Sequence, residues 1–190
     1  MTDEVPAADV YISFSAEIVP ATTESLIALL AQCANQGSKH IYLMMSTPGG
    51  SVMHGLNLYN VIKAMPFHVT THNVGNVDSI GNAIFLAGDT RYASKHSTFM
   101  FHGVGIDSPA ATRLEQKLLR EALDGIEADQ NRISGILTEG TKITDAAAQD
   151  LFLEAKTKDA DYAVSVGLVD EIRDVEIPPG VTVQALVFQR

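Results

Sequence analysis

A serine at the start of a helix is placed for nucleophilic chemistry, because the unpaired amides of the first turn favour developing negative charge. Ser79 stands in such a place, in Gly75-Asn76-Val77-Asp78-Ser79-Ile80-Gly81, where a strand gives way to an apolar stretch. Val77 occupies the first glycine's place of a Gly-x-Ser-x-Gly elbow, so the segment is not that motif. Upstream, Ser46-Thr47-Pro48-Gly49-Gly50-Ser51 is a strand end turning into a helix. Its two glycines let the backbone approach a ligand closely, and the helix start offers free N–H groups. No Gly-Lys-Ser/Thr follows, which argues against a phosphate loop. Downstream, Ser97-Thr98-Phe99-Met100-Phe101-His102-Gly103 presents His102 at a strand end, a candidate general base. Taken singly, these read as a plain turn, an N-cap and a surface histidine. Their order is what matters: glycine turn, serine, histidine, each at a strand terminus where loops gather.

The elements that must hold these residues follow from periodicity. Val10–Ser15 alternates apolar Val10, Ile12 and Phe14 against Tyr11, Ser13 and Ser15, a strand pattern. A helix is expected from Thr23 to Gln36, with Thr22 or Thr23 as N-cap and Leu26, Leu29, Leu30 and Cys33 as its apolar stripe. Gly37 stops it. Ile41–Met45 reads as a buried strand, 51–64 as a helix ended by Pro66, and His68–Val74 as a strand. Short strands are expected at Arg91–Ala93 and Thr98–His102. A long helix is expected to start at Ser108 and Pro109 and to end near Thr138, with Leu114, Leu118, Ala122, Ile126, Ile133 and Leu137 on one stripe. Thr144 and Asp159 are read as caps of short helices, and Leu168–Ile172 as a strand. Repeated strand–helix alternation predicts an α/β architecture with a mainly parallel sheet. Without an internal linker or repeat, the chain divides into a tail at 1–9, one domain at 10–175 and a C-terminal extension at 176–190.

Composition narrows the function classes. Acidic residues outnumber basic ones 23 to 13, for a net charge of −10 over 190 residues, with no basic run. That balance argues against nucleic acid. Charged residues are only 19% of the chain, consistent with surface hidden between subunits. Cys33 is alone, so no intrachain disulfide or thiolate cluster is expected. His40, His54, His68, His72 and His96 lack metal-ligand spacing. His68 and His72 share a predicted strand, where residues four apart stand about 13 Å from one another. No metal or cofactor is expected. Neither a secretory leader nor a membrane span is recognisable, so the expected location is the cytoplasm.

Four segments in order resemble the proteolytic subunit of the Clp protease, within the ClpP/crotonase superfamily: Pro48-Gly49-Gly50-Ser51, Gly75–Gly81, Met100-Phe101-His102 and Gly167-Leu168-Val169-Asp170-Glu171-Ile172. The similarity covers about residues 10 to 172. It implies a spiral of β-β-α units with a long protruding helix, serine peptidase chemistry on a peptide or unfolded protein, and homo-oligomeric, stacked rings. Ser79 would be the nucleophile and His102 the base, with the Gly50 and Ile80 amides as oxyanion hole.

The chain also departs from the family. Alignment backward from Gly167 and forward from Thr144 both set Ala155 where the family carries the aspartate that orients the histidine. Glu154 is the nearest substitute, ahead of Asp150 and Asp159. Loss of that carboxylate costs about 10⁴ in kcat in a trypsin-type triad. Asp78 stands where the family has a small residue, and a carboxylate there would oppose a forming oxyanion. The loop after His102 lacks the usual Gln-Pro. The N-terminal arm does not resemble the family's axial-gate segment, which argues against docking by an ATP-driven unfoldase. A weak or inactive ring subunit is therefore the first alternative, and a crotonase-type acyl-CoA enzyme the second. A Ser–Lys dyad, as in the related signal peptide peptidase A, stays open through Lys95 and Lys156.

Overall fold

The computed structural model describes residues 9–106, 113 and 115–188. Strand β1 (Val10–Ser15) sends Val10, Ile12 and Phe14 into the main core and Tyr11 to the opposite side of the sheet, as a period of two requires. Helix α1 spans Pro20–Asn35, starting earlier than its pattern suggested. Pro20 sits in its first turn, where the missing N–H is an orphan in any case. Val19 is the N-cap, and Thr22 Oγ1 accepts from the Val19 amide (3.1 Å) while lying inside the helix. The stripe Leu26, Leu29, Leu30 and Cys33 is buried as expected.

Next come β2 (His40–Thr47) and α2 (Val52–Ala64), the latter opened by Ser51. Strand β3 (His68–Asp78) runs past the expected end at Val74. Its first half pairs with β4 (Thr90–Ala93) and its second half with β5 (Thr98–Met100), and the β2–β3 register shifts between Met45 and Thr47. The strand thus changes neighbours midway and is carried on toward Ser79. A short buried helix, α3 (Gly81–Phe85), follows.

Helix α4 covers Gln116–Gly140; the starts expected at Ser108 and Pro109, and Leu114 of the stripe, lie outside the described residues. Ile133 and Leu137 pack into the core, whereas Leu118, Leu119 and Leu123 are about half exposed. Helix α5 (Asp145–Glu154) is capped by Thr144, and α6 (Ala160–Ser165) by Asp159, each accepting from the third residue on. Between them lies β6 (Thr157–Asp159), antiparallel to β5. The strand expected at Leu168–Ile172 shrinks to β7 (Glu171–Ile172), because Leu168 and Val169 plug the core instead.

The sheet runs β6-β5-β3-β2-β1-β8, with β4 bridging β3 and β7, and every pairing but β5–β6 is parallel. Strand β8 (Thr182–Leu186) comes from the C-terminal extension and adds to the edge of β1, a strand the sequence pattern did not announce. One face carries the helices over a core of Ile, Leu and Phe. The other holds Tyr11, Tyr42 and Met44 under Tyr92, Val175 and Val181. Among the described residues no helix is long and apolar enough to cross a membrane.

Candidate active site

The parallel strands end together, and the residues singled out above stand at those ends. Ser79 follows β3 with φ 56°, a left-handed conformation rare for a residue bearing a Cβ. Such strain costs about 1 kcal/mol or more and persists only where surroundings impose it. Here they do. The Ser79 amide donates to the Met100 carbonyl (2.8 Å), and Asn82 donates to the Ser79 carbonyl through its amide (3.1 Å) and its Nδ2 (3.0 Å). Nδ2 of the same Asn82, fully buried, also donates to the Met100 carbonyl (2.9 Å). Asn82 thus ties the serine turn to β5, the strand that leads to His102. In the sequence it is only a polar residue in an apolar run.

The glycine turn is built around the serine. Gly49 has φ 89°, and a Cβ there would fall 2.6 Å from Ser79 Cβ and 2.9 Å from the Asp78 carbonyl. Gly50 (φ 142°) lies too close to the Ile18 carbonyl for any side chain. This tight seating comes from an isolated bridge between Ile18 and Gly50, with the Ile18 amide on the Gly49 carbonyl (2.7 Å) and the Ser51 amide on the Ile18 carbonyl (2.8 Å). Among the described residues, neither the Gly50 nor the Ile80 amide has a recorded acceptor. Free amides beside a serine can hold an oxyanion, and α2 behind Gly50 adds its dipole.

His102 is exposed and shares one cavity of about 250 Å³ with Gly50 and Ser79. Val52, Phe101, Val104, Ile106, Ile133 and Phe152 make the rest of that cavity mostly apolar. A wider groove of about 730 Å³ continues along Gly50, Val52, Val104 and Ile106 toward Glu17 and Asp129. No hydrogen bond joins Ser79 to His102 among the described residues; such bonds are often loose before substrate binds. His102 Nδ1 donates to the Gly103 carbonyl (2.8 Å).

In the antiparallel β5–β6 ladder Met100 pairs with Thr157, and the ladder ends there, two residues before His102 and two residues after Ala155. Ala155 is the left-handed C-cap of α5 (φ 49°). Glu154, the suggested substitute, closes α5 and is not on a strand. Its Oε2 accepts from Lys158 Nζ at 2.8 Å, and that bond and charge hold its carboxyl below the usual carboxylate range. The structure gives Glu154 no hydrogen bond to His102. Asp78, at the end of β3, accepts from Asn76 Nδ2 (2.6 Å), and Asn76 also holds the Thr47 carbonyl (3.1 Å) and accepts from Ser46 Oγ (3.1 Å). Its carboxylate therefore braces β3 against β2.

A model of the Clp protease family matches residues 7–176. ATP-dependent Clp protease proteolytic subunit 2 of Prochlorococcus marinus is 31% identical over 163 residues, 82% of this chain and 77% of that protein. Subunit 2 of Chlamydia trachomatis is 27% identical over 175 residues, 86% of this chain and 80% of the relative. Among solved structures, a point mutant of ClpP1 from Listeria monocytogenes superposes with a TM-score of 0.74 at 20% identity, covering 87% of this chain and 91% of the other. That likeness carries the fold.

Proposed function

Since the chain belongs to the Clp protease family, we propose that it is a serine peptidase cutting peptide bonds with Ser79 as nucleophile and His102 as general base. One observation carries the reading: Ser79, His102 and Gly50 border a single cavity, beside two amides that lack a recorded acceptor. In this reading Ser79 Oγ attacks the scissile carbonyl while His102 Nε2 takes its proton. The oxyanion settles on the Gly50 and Ile80 amides, each worth about 3 kcal/mol in a comparable hole. The imidazolium then protonates the leaving amine, and water returns along the same path. The apolar cavity receives the side chain next to the cut bond, and the groove the rest of a peptide. The half-exposed leucines of α4 are the surface on which copies of this chain would assemble into a ring.

A fluorophosphonate probe tests the chemistry. Wild type should label and Ser79→Ala should not; equal labelling of the two ends the peptidase reading. A second reading, a ring subunit without activity, is favoured by alanine at position 155, where the resemblance implies the orienting aspartate, and by Glu154 bound to Lys158. It requires a large oligomer by light scattering together with no probe labelling.

A further inference from the structure

Among the described residues no carboxylate bonds His102, and the imidazole needs something else to fix its tautomer. We infer that the main-chain carbonyl of Gly103 does this, standing in for a triad carboxylate and making Gly103 a positioning residue. The inference rests on the peptidase reading of Ser79 and His102. A carbonyl oxygen can only accept, so the 2.8 Å contact puts the proton on Nδ1 and leaves Nε2 with a free lone pair. That is the tautomer a general base for serine must have.

The carbonyl is held in turn. The Gly103 amide donates to the Phe152 carbonyl (3.1 Å) on α5, and a Cβ at Gly103 would come 3.3 Å from Gln130 Oε1 of α4. Gln130 Nε2 donates to Gln149 Oε1 (2.8 Å), locking α4 to α5 at the same spot. The end of α5 thus anchors residue 103 through Phe152. A backbone acceptor orients the ring but contributes no negative charge to the imidazolium formed during attack. The site should therefore run slower than one with a carboxylate.

The test is nitrogen NMR of the full-length protein labelled with ¹⁵N-histidine, the His102 signals being assigned by their loss in His102→Gln. A protonated Nδ1 and bare Nε2 at neutral pH is the expected result. A protonated Nε2 overturns the inference, and it leaves the peptidase reading standing if the fluorophosphonate still labels Ser79. Nδ1 protonation without labelling keeps the contact and removes the peptidase reading. Ala155→Asp supplies the second measurement, and aspartate tolerates the left-handed backbone better than alanine. It should raise kcat/KM at least about tenfold and move the acid limb of the pH profile up by about one unit. A variant with unchanged rate and limb overturns the substitution of carbonyl for carboxylate.

Discussion

On the side of the sheet opposite the helices, a second serine–histidine pair makes a direct contact. Ser94 Oγ stands 3.2 Å from His72 Nε2, and the Tyr42 hydroxyl 2.6 Å from His72 Nδ1. Burial pushes the phenol's pKa up to about 12, so it stays protonated. Tyr42 and Ser94 together occupy both ring nitrogens of His72. The ring is wholly buried, and that burial drives its pKa down to about 4, against a hydrogen bond to the Arg173 backbone. The Ser79–His102 pair is the reverse in each respect. It is open to a cavity, its members make no direct bond, and the ring bonds a main-chain carbonyl through Nδ1. Contact distance alone would select the wrong pair; access and free amides select the other.

The strongest way to break this contrast is to remove each serine. Ser79→Ala should lower peptide turnover by at least about 10³-fold, while Ser94→Ala should leave it within about twofold. A loss of the same size in Ser94→Ala would sink the assignment. The next effect is on stability. A His72 held near pKa 4 when folded and about 6.5 when unfolded is neutral in both states above pH 6.5. As pH falls from about 6.5 to 4 only the unfolded chain gains the proton, so about 3 kcal/mol of stability drains away across that window. Urea midpoints at pH 7, 5.5 and 4.5 should show it, and His72→Leu should flatten the slope; an unchanged slope would mean the ring is not buried neutral.

A smaller effect sharpens the site side of the comparison. Asn82→Ala removes the Nδ2 bonds to the Ser79 and Met100 carbonyls and should cost about 1–3 kcal/mol of stability. It should also lower kcat more than it changes KM, since the serine turn loosens while the groove stays. Smallest is Tyr42→Phe, which deletes one buried hydrogen bond. It should cost about 1 kcal/mol by thermal unfolding and leave turnover alone.

Legibility along the chain followed how local each signal was. The stripe of α1, the caps Thr144 and Asp159 and the alternation of β1 rest on neighbours within one turn or one strand, and the structure repeats them. The start of α1 was misplaced because Thr22 bonds back to Val19, imitating a cap from inside the helix. The end of β3 was missed because its length depends on a change of partner from β4 to β5, a fact of the sheet. Strand β8 was missed because its apolar side chains meet β1, more than 160 residues away in sequence. In the site, Ser79, His102 and Gly50 could be named from order and residue type. Asn82 and Gly103 could not, since their part lies in which carbonyls they hold or offer.

The sequence by itself determined the α/β alternation, the family, the acidic balance and the absence of an aspartate at position 155, because each is a matter of residue type and order. Only the tertiary structure decided that Glu154 goes to Lys158, that Asp78 braces β2 through Asn76, and that the proton of His102 faces a carbonyl. The physical reason is that a side chain's chemistry is set by the partner within about 3 Å of it. Those partners stand four, two and one residues away along the chain, but the fold alone decides which near neighbour comes within reach.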